Sequence, residues 1–349
     1  MRIKAFAVAA LCTFIVGIAA PAHAAKYKIH WYLGHPNLDA FEEAAANFKK
    51  DVETRSKGDI EVQIITAAQD GAASGPEIAT KVENGEVEMG HSFTDVVSSF
   101  DKRLMAFEAP YLMRDERHME GIIEGPVGAE LMSGLRAHHI VGLSFTYSGG
   151  ASGVATTGRE IRRPEDLKGL KVGVYGDKVN EAWLSSLGAT PVPIEHKLSS
   201  INQLAHEGKL DAVVVTWRNF DREKLDHNFK YVNLMGSTYL VSMTYINEKF
   251  FNSLPAEYQT LIKNASRAAG IVERARTVDL NESAKRALLA RGVRQVRLTE
   301  AGKSAFVSAL KPAYERSIDG LIGKELLERI RSTPASFELT TTAKPLAAR

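Results

Sequence analysis

The stretch Arg163-Pro164-Glu165-Asp166-Leu167-Lys168-Gly169-Leu170-Lys171-Val172-Gly173-Val174 decides the fold. Proline suits the first position of a helical turn, where its missing N–H is not needed. The acidic pair behind it complements the positive end of that turn. Leu167 supplies one apolar contact and Gly169 stops the turn. Residues 171–174 then read as a short strand whose end opens toward a crevice. In open α/β sheets, ligands bind in the crevice beyond the strand ends.

Outward from this stretch, strands and helices alternate. Lys28-Ile29-His30-Trp31-Tyr32 reads as a first strand. Phe41, Ala44, Ala45, Phe48 and Val52 recur at helical spacing until Lys57-Gly58 ends that helix. Ile60, Val62 and Ile64 alternate with polar neighbours as a second strand. A helix over 75–84 and a strand at Val87-Glu88-Met89 follow. Further strands are predicted over 141–145, 171–174 and 212–215, with helices over 179–187 and 199–207. The alternation predicts an α/β fold with mainly parallel sheets, and the length predicts two lobes. Residues 256–291 contain no proline and a single glycine, Gly270. They predict one very long helix, bent at Gly270 and spanning both lobes. The expected organisation is lobe 1 over 25–148 with 236–256, lobe 2 over 149–235 and the bridging helix over 257–291. C-terminal helices over 292–331 would pack on the lobes, and a tail over 332–349 would fray.

Residues 1–24 carry Arg2 and Lys4, an apolar stretch and the small-residue exit Ala22-His23-Ala24, the layout of a cleaved export signal. Its apolar core of about 16 residues is shorter than the roughly 20 of a membrane span. Leu11 before Cys12 is too large for lipoprotein processing. Cleavage removes Cys12, the one cysteine, so the remaining chain must fold by core burial without disulfides. It also removes two of 44 basic residues against 42 acidic ones, leaving a balanced charge. That balance argues against nucleic acid as a partner. No second long apolar run exists, so direct membrane insertion after cleavage is not expected.

Several ordered blocks carry a resemblance. They are Gly85-Glu86-Val87-Glu88-Met89-Gly90, Phe107-Glu108-Ala109-Pro110-Tyr111-Leu112, the opening stretch, Leu187-Gly188-Ala189-Thr190-Pro191-Val192-Pro193, Leu204-Ala205-His206-Glu207-Gly208-Lys209-Leu210-Asp211-Ala212, and Asn247 with Phe250-Phe251-Asn252-Ser253-Leu254-Pro255. Together the chain resembles the periplasmic solute-binding proteins of TRAP (tripartite ATP-independent periplasmic) transporters, the DctP family. The resemblance implies a two-lobed clamshell in the periplasm of a Gram-negative cell. It would capture one small solute by closing and deliver it to TRAP membrane permease subunits, with no cofactor and no catalysis.

The resemblance also exposes a departure. The family pattern places an arginine that clamps a substrate carboxylate where this chain has Gly173. A second arginine is expected near residues 147–157, where Ser152 stands in roughly its place. A guanidinium–carboxylate contact contributes about 1.5–3 kcal/mol, so losing two disfavours a plain carboxylate. The leading expectation is a small polar solute, an amine or amino-alcohol favoured, or a neutral solute. Aromatic residues near predicted strand ends, Trp31, Phe93, Phe145, Tyr175, Trp217 and Tyr239, could cage a cation at about 0.5–2 kcal/mol per ring. Strand aromatics are also ordinary core residues. Asp95 and Asp177 could neutralise an amine, and each could equally cap a helix or face solvent. The rival is a carboxylate held by Arg218, just past the 213–215 strand, whose plainer role is on the surface.

Other classes carry weaker signals. Gly150-Ala151-Ser152-Gly153 falls one residue short of the G-x-S-x-G elbow of an exported hydrolase. His138-His139 would point apart on a helix or strand, with no carboxylate at metal spacing. No phosphate-binding loop pattern occurs. A purely structural envelope protein remains the bland alternative.

Overall fold

The computed structural model describes residues 24–34, 39–66, 75–175, 178–194, 199–234 and 238–335. Residues 1–23, the bulk of the expected export signal, lie outside the described residues, as do Asp177 and the tail from 336. The described strands are β1 (Tyr27–Leu33), β2 (Ile60–Thr66), β3 (Met89–Phe93), β4 (Ile140–Ala151), β5 (Gly153–Thr156), β6 (Lys171–Val174), β7 (Thr190–Pro193), β8 (Ala212–Val215), β9 (Tyr231–Leu234), β10 (Tyr239–Asn247) and β11 (Arg294–Arg297). They form two sheets, ordered β2-β1-β3-β10-β4 and β11-β9-β5-β8-β6-β7. The protein is therefore an α/β, two-lobed clamshell. The chain passes between the sheets at Ser152, between β4 and β5, and again between β9 and β10.

The opening stretch folds as read. Pro164–Leu167 is a 3-10 turn, Leu167 is buried, and β6 lies between β7 and β8 in parallel register. Asp166 accepts the backbone N–H groups of Arg162 and Arg163, closing the turn from its acidic side.

Three elements differ from expectation. The expected strand at Val87–Met89 instead begins at Met89 and runs to Phe93. The expected strand stops at Met89, where Gly90, His91 and Ser92 break the apolar run, yet β3 is a central strand buried on both faces. Gly90 is needed there because a Cβ would lie 2.7 Å from the ring of Tyr245. β4 runs to Ala151, well past the expected 145, because β10 pairs with it through two register shifts. Gly149 takes a φ of +113°, and a Cβ there would lie 2.3 Å from Thr216 Oγ1, so only a glycine lets this crossing strand approach the second lobe. Finally, the C-terminal region is not all helix. Arg294–Arg297 adds β11 to the edge of the second sheet, parallel to β9.

The long helix Ala256–Ala290 packs on β4 and on helix Asp39–Arg55 in the first lobe and on helix Trp217–Arg222 in the second, so it spans both. It runs unbroken through Gly270. That glycine serves close approach: a Cβ would sit 2.9 Å from the Phe145 carbonyl oxygen and 3.2 Å from Ser144 Cβ.

Beyond β11 the chain straps the two lobes. Helix Glu300–Ala313 lies against helix Lys178–Ser186, a π-helical turn Tyr314–Ile318 follows, and helix Asp319–Ile322 rests on the 3-10 helix Lys102–Glu108. Tyr314 donates its hydroxyl to the Pro110 carbonyl at 2.7 Å, pinning the strap to the first lobe.

Candidate functional site

A narrow cleft lies between the lobes. The first lobe contributes Asp95, Glu108, Thr238 and Leu240. The second contributes Val174, Tyr175, Asn180, Val214, Val215 and Thr216, and Ser152 sits at the crossing. The strand ends of β6 and β8 place Val174, Tyr175, Val215 and Thr216, as expected for a crevice beyond parallel strands. Thr216 caps helix Trp217–Arg222 by accepting the Asn219 N–H. Asp95 stands in the first turn of helix Thr94–Val97 and accepts the Val96 N–H at 2.7 Å.

The chemistry of the wall is one-sided. Two carboxyl side chains line it, and among the described residues no Lys, Arg or His does. Burial pushes the Tyr175 hydroxyl above its ordinary range, and Asp95 and Glu108 add to that shift, with Arg222 opposing it. Arg222 donates to its neighbour Glu223 at 3.1 Å. Ser152 donates to the Thr238 carbonyl at 3.2 Å and shares a hydrogen bond with the Thr238 hydroxyl, tying both ends of the crossing together. The site can therefore offer carboxylates, hydroxyls and an amide to a polar guest, against an aliphatic floor.

Gly173 faces away from such chemistry. A Cβ there would meet Ile194, Leu210 and Val213 side chains at 3.3–3.4 Å. The aliphatic side chains close over the place where the family pattern carries its arginine.

A family model, bacterial extracellular solute-binding protein family 7 (DctP), matches residues 33–320. The chain belongs to this family. A solute-binding protein of Verminephrobacter eiseniae is 27% identical over 291 residues, covering 83% of this chain and 84% of that protein. The C4-dicarboxylate-binding periplasmic protein DctP of Rhodobacter capsulatus is 26% identical over 230 residues, 66% of this chain and 68% of that one. Among solved structures, a TRAP periplasmic solute-binding protein from Roseobacter denitrificans with bound β-D-glucuronate superposes with a TM-score of 0.78 at 20% identity. That match covers 88% of this chain and 100% of the other. The DctP-family protein is thus a solute-binding protein of TRAP transport, not an enzyme.

Of the residues singled out from the DctP-family sequence, Asp95, Ser152 and Tyr175 line the cleft, and Asp177 lies outside the described residues. The others sit elsewhere. Trp31 is core in the first lobe, its ring edge-on to Phe48 at 5.0 Å, in a second small pocket that also includes His91 and Ser144. Phe145 packs edge-on against Phe107 at 5.4 Å, and its carbonyl accepts from Arg274. Phe93 ends β3, half-buried, one residue before the cleft segment. Tyr239 is buried beside Tyr147, between Thr238 and Leu240 of the wall.

Trp217 and Arg218 open a helix whose first turn is buried in the second lobe. The backbone N–H of Arg218 donates to Asn281 of the long helix. Burial, helped by the neighbouring Arg222 and opposed by Glu273, lowers the Arg218 guanidinium to about 10. None of these six lines the cleft between the lobes.

Glu108, Asn180, Thr216 and Thr238 were missed. The signal for Glu108 was available: it is an acid flanked by Phe107 and Ala109 in a segment that reads as apolar. Asn180, Thr216 and Thr238 carry no comparable signal, since the lobe contact alone selects them.

Proposed function

We propose that this TRAP solute-binding protein captures a small polar organic solute without the arginine–carboxylate clamp, an amine or amino-alcohol being favoured over a neutral one. The observation that carries the reading is the cleft wall: Asp95 and Glu108 with hydroxyls and an amide, and no basic side chain among the described residues. A protonated amine gains charge-assisted hydrogen bonds from such carboxylates, whereas a carboxylate meets like charge. The Rhodobacter and Roseobacter relatives bind a C4-dicarboxylate and glucuronate, so this chain would have kept the clamshell and changed its charge preference. The burial of Arg218 outside the wall counts against the rival in which it holds a carboxylate. The closed form would be delivered to TRAP permease subunits in the periplasm, to which the 1–24 segment would export the chain.

Ligand that binds the native state alone at about 100 times its dissociation constant stabilises by roughly 2.7 kcal/mol. At about 2–4 °C per kcal/mol, a solute screen should show a melting shift of several degrees, with compaction by small-angle scattering. Shifts produced by carboxylates and by no amine would overturn the charge assignment. No shift across acids, amines, polyols and amides in ligand-free protein would overturn the binding reading.

A further inference from the structure

One hydrogen bond in the cleft wall joins the lobes directly. Glu108 ends the 3-10 helix Lys102–Glu108, which packs on β10 and on helix Thr94–Val97 in the first lobe. Asn180 lies in helix Lys178–Ser186, which packs on β6 and β7 in the second. Asn180 Nδ2 donates to Glu108 Oε2 at 3.0 Å. On the other side of the amide, Trp183 Nε1 donates to Asn180 Oδ1 at 2.6 Å. An amide can face either way, but the indole N–H can only donate, so Trp183 fixes the oxygen toward itself and the NH2 toward Glu108. All three side chains are buried, Trp183 completely. The order is therefore indole, amide, carboxylate, running from the second lobe into the first.

We infer that Asn180 is a positioning residue that latches the lobes through Glu108, so that closure itself sets a carboxylate into the cleft wall. Separating the lobes breaks this contact and no other bond in the indole–amide–carboxylate chain, because Trp183 and Asn180 share one helix. The closed cleft therefore acquires an oriented anionic wall that the open form lacks. Cationic solutes gain from closure and anionic ones oppose it. The selectivity consequence rests on the cleft being the solute site, but the latch does not, which allows the two to fail separately.

The test uses the mature chain freed of solute, so it needs no identified ligand. Asn180→Asp keeps the shape, still accepts from Trp183 and sets a carboxylate against Glu108. A hydrogen bond to a charged group corresponds to about a tenfold or larger change in the closed-to-open ratio. Small-angle scattering should therefore show a larger radius of gyration for Asn180→Asp than for wild type. The double variant Asn180→Asp/Glu108→Gln exchanges donor and acceptor across the same contact and should return the radius to the wild-type value, which a merely unstable fold would not do. An unchanged radius in Asn180→Asp overturns the latch, and so does a double variant that stays as expanded as the single one. A solute screen that finds no ligand would instead overturn the binding reading and leave a rescued radius standing.

Discussion

Arg274 donates through Nε and Nη2 to both oxygens of Glu120, and the two side chains are 0% and 4% exposed. The arginine belongs to the long helix, Glu120 to helix Glu116–Ile123, and Tyr147 of β4 donates its hydroxyl to the same carboxylate at 2.7 Å. Arg274 also donates to the Phe145 carbonyl at 2.6 Å. Glu120, β4 and the helix are thus locked together just before the chain crosses to the second lobe. Removing one partner of a buried pair costs about 3–5 kcal/mol, because the other charge is left uncompensated. Arg274→Met should lower the unfolding free energy in a denaturant titration by that amount. A loss below about 1 kcal/mol would contradict a structural role for the pair.

Gly270→Ala sets helix propensity against space. Alanine is favoured over glycine in a helix by about 1 kcal/mol, but the added Cβ would lie 2.9 Å from a backbone oxygen in β4, which cannot swing away as a side chain tip can. Overpacking of this kind costs about 1–3 kcal/mol. The variant should melt below wild type in a calorimetric scan. A higher melting temperature would show that helix and strand can separate slightly without loss.

Glu273 gives the fold a pH dependence of defined sign. It is fully buried, and accepts from the Tyr147 N–H at 2.7 Å and the Thr277 hydroxyl at 2.5 Å. Burial pushes its carboxyl up from the ordinary 4.5 to about 7, although those hydrogen bonds, Arg274 and Arg218 oppose the shift. Between these values the folded state holds a proton that the unfolded state has released. The contribution is therefore complete below about 4.5 and is lost as the pH rises through about 7. Relative to Glu273→Gln, wild type should lose stability over that interval in denaturant titrations. A difference that stays flat across it would place the carboxyl in its ordinary range.

Asp95 and Arg218 should separate cleanly as binding residues. Asp95 lines the cleft and Arg218 does not. With the solute recovered from the protein, Asp95→Asn should weaken binding about tenfold or more in calorimetric titration, the equivalent of one charge-assisted hydrogen bond. Arg218→Met should change affinity by less than about threefold. The reverse order would move the recognition site to the buried turn at Trp217.

The two-lobed alternation was legible because period-2 and period-3.6 patterns persist where elements are half-buried, as in residues 39–66. Legibility failed where an element is buried on both faces. The extent of β3 is hidden because Gly90, His91 and Ser92 are accommodated by partners distant in sequence, Tyr245 and Thr146 among them. β11 is short, with four residues on a sheet edge, and its pairing with β9 is invisible to local patterns. At the site, the strand-end rule found Tyr175, and the family pattern located Ser152. Ranking aromatics by strand position pointed to Trp31, Phe145 and Trp217, whose side chains the fold packs into its cores. Glu108 and Asn180 meet only because the lobes do, and no spacing of 72 residues announces that.

The identity of the solute tests the charge preference of the cleft most directly. Protein purified from its native compartment, washed and then denatured, should release its retained molecule for mass spectrometry. The cleft wall predicts a small solute carrying a protonated amine, bound with an affinity that falls on Asp95→Asn. A plain carboxylate whose affinity collapses on removal of Arg218 would contradict that assignment and show that the clamp had merely changed its cation.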